Sequence, residues 1–195
     1  MKGKTMSCNR QWDRVIIVVV LGTAACGCSR FIARGRSDVV FPRLDSAREQ
    51  FYYAAQYDEN TLVPRERSEE RDERVRRIIA AYQTVLDHFP GDQLYAPLAL
   101  ASIGNCYFDK ENYRRTIRIF KDAQERYPNY PFVHAEAQWK IGRSLERLGK
   151  IRQAKRHYKC CIDTFRHSKN DQILAIVALC SDRYFQPSVP ERRGR

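Results

Sequence analysis

A chain of 195 residues with 43% hydrophobic and 30% charged side chains is composed like a folded protein, which excludes a disordered or low-complexity chain over most of its length. The formal net charge of +12 favours anionic surroundings without choosing among them. The seven cysteines, at 8, 26, 28, 106, 160, 161 and 180, form no CxxC pair and no regular framework, which argues against a disulfide-stapled miniprotein and a zinc ribbon.

The chain opens with Lys2, Lys4, Arg10 and Arg14, followed by an apolar run from Val15 to Ala25 and then by Cys-Gly-Cys-Ser. A basic start, a short apolar run and small residues before a break are the three parts of a secretory signal. A bilayer-spanning helix needs ~20 apolar residues, so a run of eleven fits an anchor poorly. Thr23-Ala24-Ala25-Cys26 resembles the lipobox of bacterial lipoproteins, which implies lipidation at Cys26, with Cys28 behind Ala25-Gly27 as the competing site. Plain secretion and an uncleaved anchor stay open. Residues 1–25 are therefore read as a signal peptide and 26–45 as a basic tether, whose Arg30, Arg34, Arg36 and Arg43 suit anionic headgroups or solvent equally. Without the first 25 residues the charge excess is +9.

A helical domain is expected over 46–185. Ser46-x2-Glu49 is a capping box opening a helix from Ala47 to Tyr57. The stretch Asp58–Arg77 is dense in Arg, Asp and Glu and reads as an inserted loop running into a charged helix start, most simply a solvated face. Ile78-x3-Tyr82-x2-Val85-x4-Pro90 then gives a second helix and its stop. From Leu100 the spacing becomes regular: Leu100-x2-Ile103-Gly104-x2-Tyr107, then Thr116-x3-Phe120-x2-Ala123-x4-Pro128. It recurs 38 residues on as Ile141-Gly142-x2-Leu145 and Ala154-x3-Tyr158-x2-Cys161-x3-Phe165. Small residues at 104, 123, 142 and 161 let paired helices approach, while the bulky ones fill the space between them. Ser168 or Asn170 caps a last helix from Asp171 to about Tyr184, expected to cover the end of the stack, and the tail 186–195 is read as disordered.

These spacings resemble the tetratricopeptide repeat over about Ser46–Tyr184. The resemblance implies an all-α solenoid of antiparallel helix pairs, about three repeats plus a capping helix. More narrowly, HFPGDQLYAPLALASIGNCY and RYPNYPFVHAEAQWKIGRSLERLG are similar to BamD-like outer-membrane assembly lipoproteins, whose members carry more repeats than this chain. That similarity implies an envelope adaptor facing the periplasm at the outer membrane. The alternative is a soluble or inner-membrane-tethered scaffold of a cell-wall or secretion machine.

In stacked repeats the first helix of each pair lines a concave groove that takes peptides. Here the inward positions are Ala101, Asn105, Phe108 and Asp109, then Trp139, Arg143, Glu146 and Arg147. Asn105 suits a peptide backbone, Phe108 and Trp139 apolar side chains, and Arg143 a carboxylate, although Trp139 equally suits the core. Catalytic motifs of the GxSxG, HExxH, P-loop and GxGxxG kinds are missing from the sequence, so no enzyme, cofactor or small-molecule substrate is expected. His157 and Cys161 lie four apart beside Cys160, but Cys161 falls where the repeat needs a small packed residue, so no metal is expected. Arg alternates with Glu and Asp instead of clustering, which speaks against nucleic acid. The expected partner is an envelope protein or peptide, with a lipid anchor in the membrane.

Overall fold

The computed structural model describes residues 40–59 and 68–186; Cys26, Cys28 and the whole signal region, with segment 60–67 and the tail from 187, lie outside the described residues. Among the described residues there are seven helices and no strand: α1 (Ala47–Glu59), α2 (Ser68–His88), α3 (Tyr95–Asp109), α4 (Tyr113–Arg126), α5 (Pro131–Arg147), α6 (Ile151–Phe165) and α7 (Asp171–Phe185).

Helix starts follow from local chemistry. Ser46 Oγ accepts the Glu49 N–H at 3.2 Å, and Asp92 Oδ1 accepts those of Leu94 and Tyr95 at 2.9 and 2.6 Å. Asn112 and Asn170 cap α4 and α7, and Pro131 opens α5, where a missing N–H costs nothing. Of the two candidate caps before the last helix it is Asn170 that accepts, from Gln172 and Ile173, while Ser168 Oγ holds the Asn170 N–H.

The turn inside each regular pair is the same. Asn112 N–H donates to Tyr107 O and Lys150 N–H to Leu145 O, at 2.9 and 2.8 Å. Each turn passes through a left-handed residue seven positions after the packing glycine: Gly149 at φ 73°, and Glu111 at φ 58°. Glycine adopts that conformation freely, whereas Glu111 is held there by the surrounding bonds.

Only one stripe of each second helix faces inward. On α4 it is Thr116, Phe120 and Ala123, and on α6 it is Ala154, Tyr158 and Cys161. The buried Thr116 hydroxyl donates to Asn112 O at 3.1 Å, which removes the penalty of enclosing it. Phe120 lies on Gly104 and Tyr158 on Gly142: a Cβ at Gly104 would stand 2.7 Å from Phe120 Cε2. Tyr127 closes α4 and its hydroxyl donates to Pro90 O at 3.4 Å, tying one unit's end to the previous unit's stop.

Each helix packs on its successor. In addition α1 touches α3, α3 touches α5, and α5 touches α7, whereas α2, α4 and α6 do not touch one another. The first helices therefore form the shorter inner arc of a curved stack, with the second helices splayed outside. This is a tetratricopeptide-type solenoid.

Two expectations need correction. Ala101 is 2% exposed and belongs to the core, not the groove, because its small side chain sits under neighbouring helices. The residues read as the end of a tether are anchored: buried Gln50 accepts the Leu44 N–H at 2.9 Å and donates to Pro42 O at 3.1 Å and Thr84 Oγ1 at 2.8 Å. Phe41 also meets Tyr57 edge-on at 5.6 Å. None of the helices among the described residues is long and apolar enough to cross a membrane.

Candidate functional site: the inner face of the first helices

The helical register brings Asn105 and Phe108 of α3 alongside α5. Asn105 Nδ2 donates to Glu136 Oε1 at 2.9 Å, and Lys140 Nζ stands 4.8 Å from the centre of the Phe108 ring. These are cross-links between successive first helices, and they stiffen the inner arc. A cation over an aromatic face contributes ~0.5–1 kcal/mol at an exposed site.

Trp139 packs against Tyr158 at 5.7 Å between ring centres and carries the Arg143 guanidinium on its ring at 5.2 Å. Trp139 therefore completes the core on one side and remains half-buried on the other. Arg143 Nε lies 3.4 Å from Glu146 Oε2, an ion-pair contact without hydrogen-bond alignment. Glu146 also accepts from the Tyr158 hydroxyl at 3.1 Å and faces Arg183 of α7 at 3.6 Å. Burial first, then the Glu146 carboxylate, push the Tyr158 phenol above its ordinary range. So the carboxylate that Arg143 pairs with is already in the chain, and a ligand carboxylate would have to compete with Glu146.

Beside Asn105 a cavity of about 400 Å³ opens, lined by Asp58, Arg71, Arg74, Ser102, Asp109 and Cys106 among others. Asn105 Oδ1 is enclosed there with no protein donor. Arg71 donates to Asp109 O at 3.2 Å, and Lys110 pairs with Asp72 at 2.8 Å, holding α2 to the end of α3. The Cys106 thiol is pushed up to about 12 by burial and by the nearby Asp58 and Asp109 carboxylates, so it is no nucleophile. The recess is polar, lined by guanidinium, carboxylate and hydroxyl groups. Sequence spacing marked Asn105 but not the recess, because its other wall comes from α2, about thirty residues earlier.

His157 of α6 has Nδ1 2.7 Å from Gln138 Oε1, with Nδ1–H as donor. Burial, with Lys121 and Arg156 nearby, lowers its pKa from the ordinary 6.5. The unfolded chain then binds this proton at higher pH than the folded one, so stability is lost as pH falls through about 6.5. We expect the melting temperature to drop between pH 7.5 and 5.5, and His157→Gln to flatten part of that drop; an unaltered slope would show that His157 does not contribute. Cys161 is fully buried, with its Sγ 3.9 Å from Ala135 O and its thiol against that of Cys180. No group of three or more potential ligands able to hold a metal occurs among the described residues.

Stacked helix pairs with a cross-linked inner face define a helical-repeat scaffold of the protein-binding kind. A family profile for the tetratricopeptide repeat matches residues 136–168, which take in most of α5, the turn after it and all of α6. No curated protein matches the chain.

Proposed function

We propose that the chain is a lipid-anchored adaptor of the bacterial cell envelope, facing the periplasm at the outer membrane and holding an envelope protein on its inner face. One observation carries the location: the apolar run ending in Thr23-Ala24-Ala25-Cys26 has the order of parts of a lipoprotein signal. A role in outer-membrane protein assembly, as in BamD-like lipoproteins, is supported by the Tyr127-Pro128 that ends the second unit and by the lipoprotein-type signal. The scaffold acts by binding, not by catalysis. Its partner is a protein or peptide, not nucleic acid or a small molecule, because the inner face offers an amide, aromatic rings and paired charges.

Labelled palmitate should enter the wild-type chain and be lost in Cys26→Ala. Retained label in Cys26→Ala with loss in Cys28→Ala moves the anchor two residues; label retained in both removes it. Fractionation separates the outer-membrane reading from an inner-membrane or soluble scaffold of another envelope machine.

A further inference from the structure

The last helix does not close the stack with a polar face. Leu174, Leu179 and Phe185 of α7 are 36, 48 and 76% exposed. Their placement has a pattern. Val177-x2-Cys180-Ser181-x2-Tyr184 repeats the spacing of Leu100-x2-Ile103-Gly104-x2-Tyr107, and Val177 and Cys180 are buried as Leu100 and Ile103 are. On this register α7 is the first helix of a further repeat, with Ser181 in the place of Gly104 and Gly142.

What covers that face in a complete repeat is visible one unit earlier. The second helix α6 meets α5 at Ala135 through Cys161, at Trp139 and Gly142 through the Tyr158 ring, and at Glu146 through the Tyr158 hydroxyl. Moved on 39 residues, those four positions are Leu174, Ala178, Ser181 and Phe185. Three of them are exposed and Ser181 is half-buried, so the open stripe of α7 is the stripe a second helix fills. Residues 187–195 carry Pro187 and Pro190 and not the Ala-x3-aromatic-x2-small spacing of a second helix.

Charge selects the occupant. From Lys150 to Lys169 there are seven Lys and Arg and one acid, Asp163. On α6, Lys155 Nζ donates to Gln186 O at 3.1 Å, at the end of the open stripe, and Lys159 one turn further on pairs with Asp163 of its own helix. A helix laid on α7 would therefore run beside a basic edge. A second copy, carrying the same excess of Lys and Arg, would bring like charge to it.

We propose that α7 presents the first-helix stripe of a repeat as a docking face for another protein, which supplies an amphipathic helix with a bulky apolar residue over Ser181 and acidic residues along the edge facing α6. This goes beyond the adaptor reading and does not depend on the anchor or the inner face.

Two fluorescent fifteen-residue peptides with the same Ala-x3-Tyr-x2-Ala stripe, one Glu-rich and one Lys-rich on the outer positions, test this by anisotropy against the full chain. The Glu-rich peptide should bind saturably and about tenfold tighter than the other, with the difference shrinking as salt rises. Ala178→Glu should abolish binding, and Leu174→Ser should weaken it, while Arg118→Glu on α4 leaves it unchanged. Ala178 and Leu174 are exposed, so both variants should melt like the parent. Equal binding of the two peptides, no saturation, or binding untouched by Ala178→Glu would overturn the proposal. So would sedimentation of the chain alone as a dimer that Ala178→Glu dissociates, because a second copy would then cover the face.

Discussion

Phe120→Ala is expected to remove about 3–5 kcal/mol of unfolding free energy, the usual cost of truncating an enclosed aromatic side chain. Phe120 is 0% exposed and lies against Gly104, a helical residue whose own backbone cannot move in to fill the space. Domains of ordinary size are stable by ~5–15 kcal/mol, so the loss is a large share of the total. Phe108→Ala is the control, since that ring is only half-buried, lying 5.6 Å from Tyr113 and under Lys140. Urea unfolding followed by circular dichroism measures both. A loss at Phe120 no larger than at Phe108 would mean that the paired helices do not meet at that ring.

The second large effect is the reverse change, an added methyl. Alanine is the better helix former by about 1 kcal/mol, so Gly142→Ala would stabilise an isolated α5. In the folded chain the new Cβ overlaps Tyr158 Cε1 and stands 2.7 Å from Cδ1. Tyr158 is 1% exposed and its hydroxyl is held by Glu146, so the ring has nowhere to swing. Overpacking of this kind costs roughly 1–3 kcal/mol, occasionally more, and outweighs the helix gain. The backbone at Gly142 is ordinary helix, so the requirement for glycine is one of distance and not of φ. Combining Gly142→Ala with Tyr158→Leu should cost less than the sum of the two single changes by ~0.5–3 kcal/mol. Strict additivity would break the contact on which the pairing rests.

The helix pairs were legible because the repeat writes its packing into fixed spacings. Gly104 with Phe120 and Gly142 with Tyr158 each set a small residue under a large one, sixteen positions apart, and the structure joins both pairs. The first-helix stripe of α7 was hidden by substitution: Ser181 stands for the glycine and Cys180 for the isoleucine, so the helix reads as a plain cap. Long-range polar contacts left no local trace. Gln50 is drawn inside by Thr84, 34 residues away, and by the chain turning back at Pro42. Arg143 was placed on the inner face by periodicity, yet its internal partner Glu146 lies one helical turn ahead, a spacing that places both charges on one side. The recess beside Asn105 needs α2, whose distance from α3 no spacing rule gives.

On the proposed reading the inner arc of first helices is where this scaffold holds a protein. A photo-crosslinking residue placed at Lys140, which stands over Phe108 between α3 and α5, samples that arc; one at Arg118, exposed on α4, samples the outer face. Irradiation in whole cells should give a discrete protein adduct from position 140 and none of the same mass from 118. The same adduct from both positions, or only from 118, would contradict it.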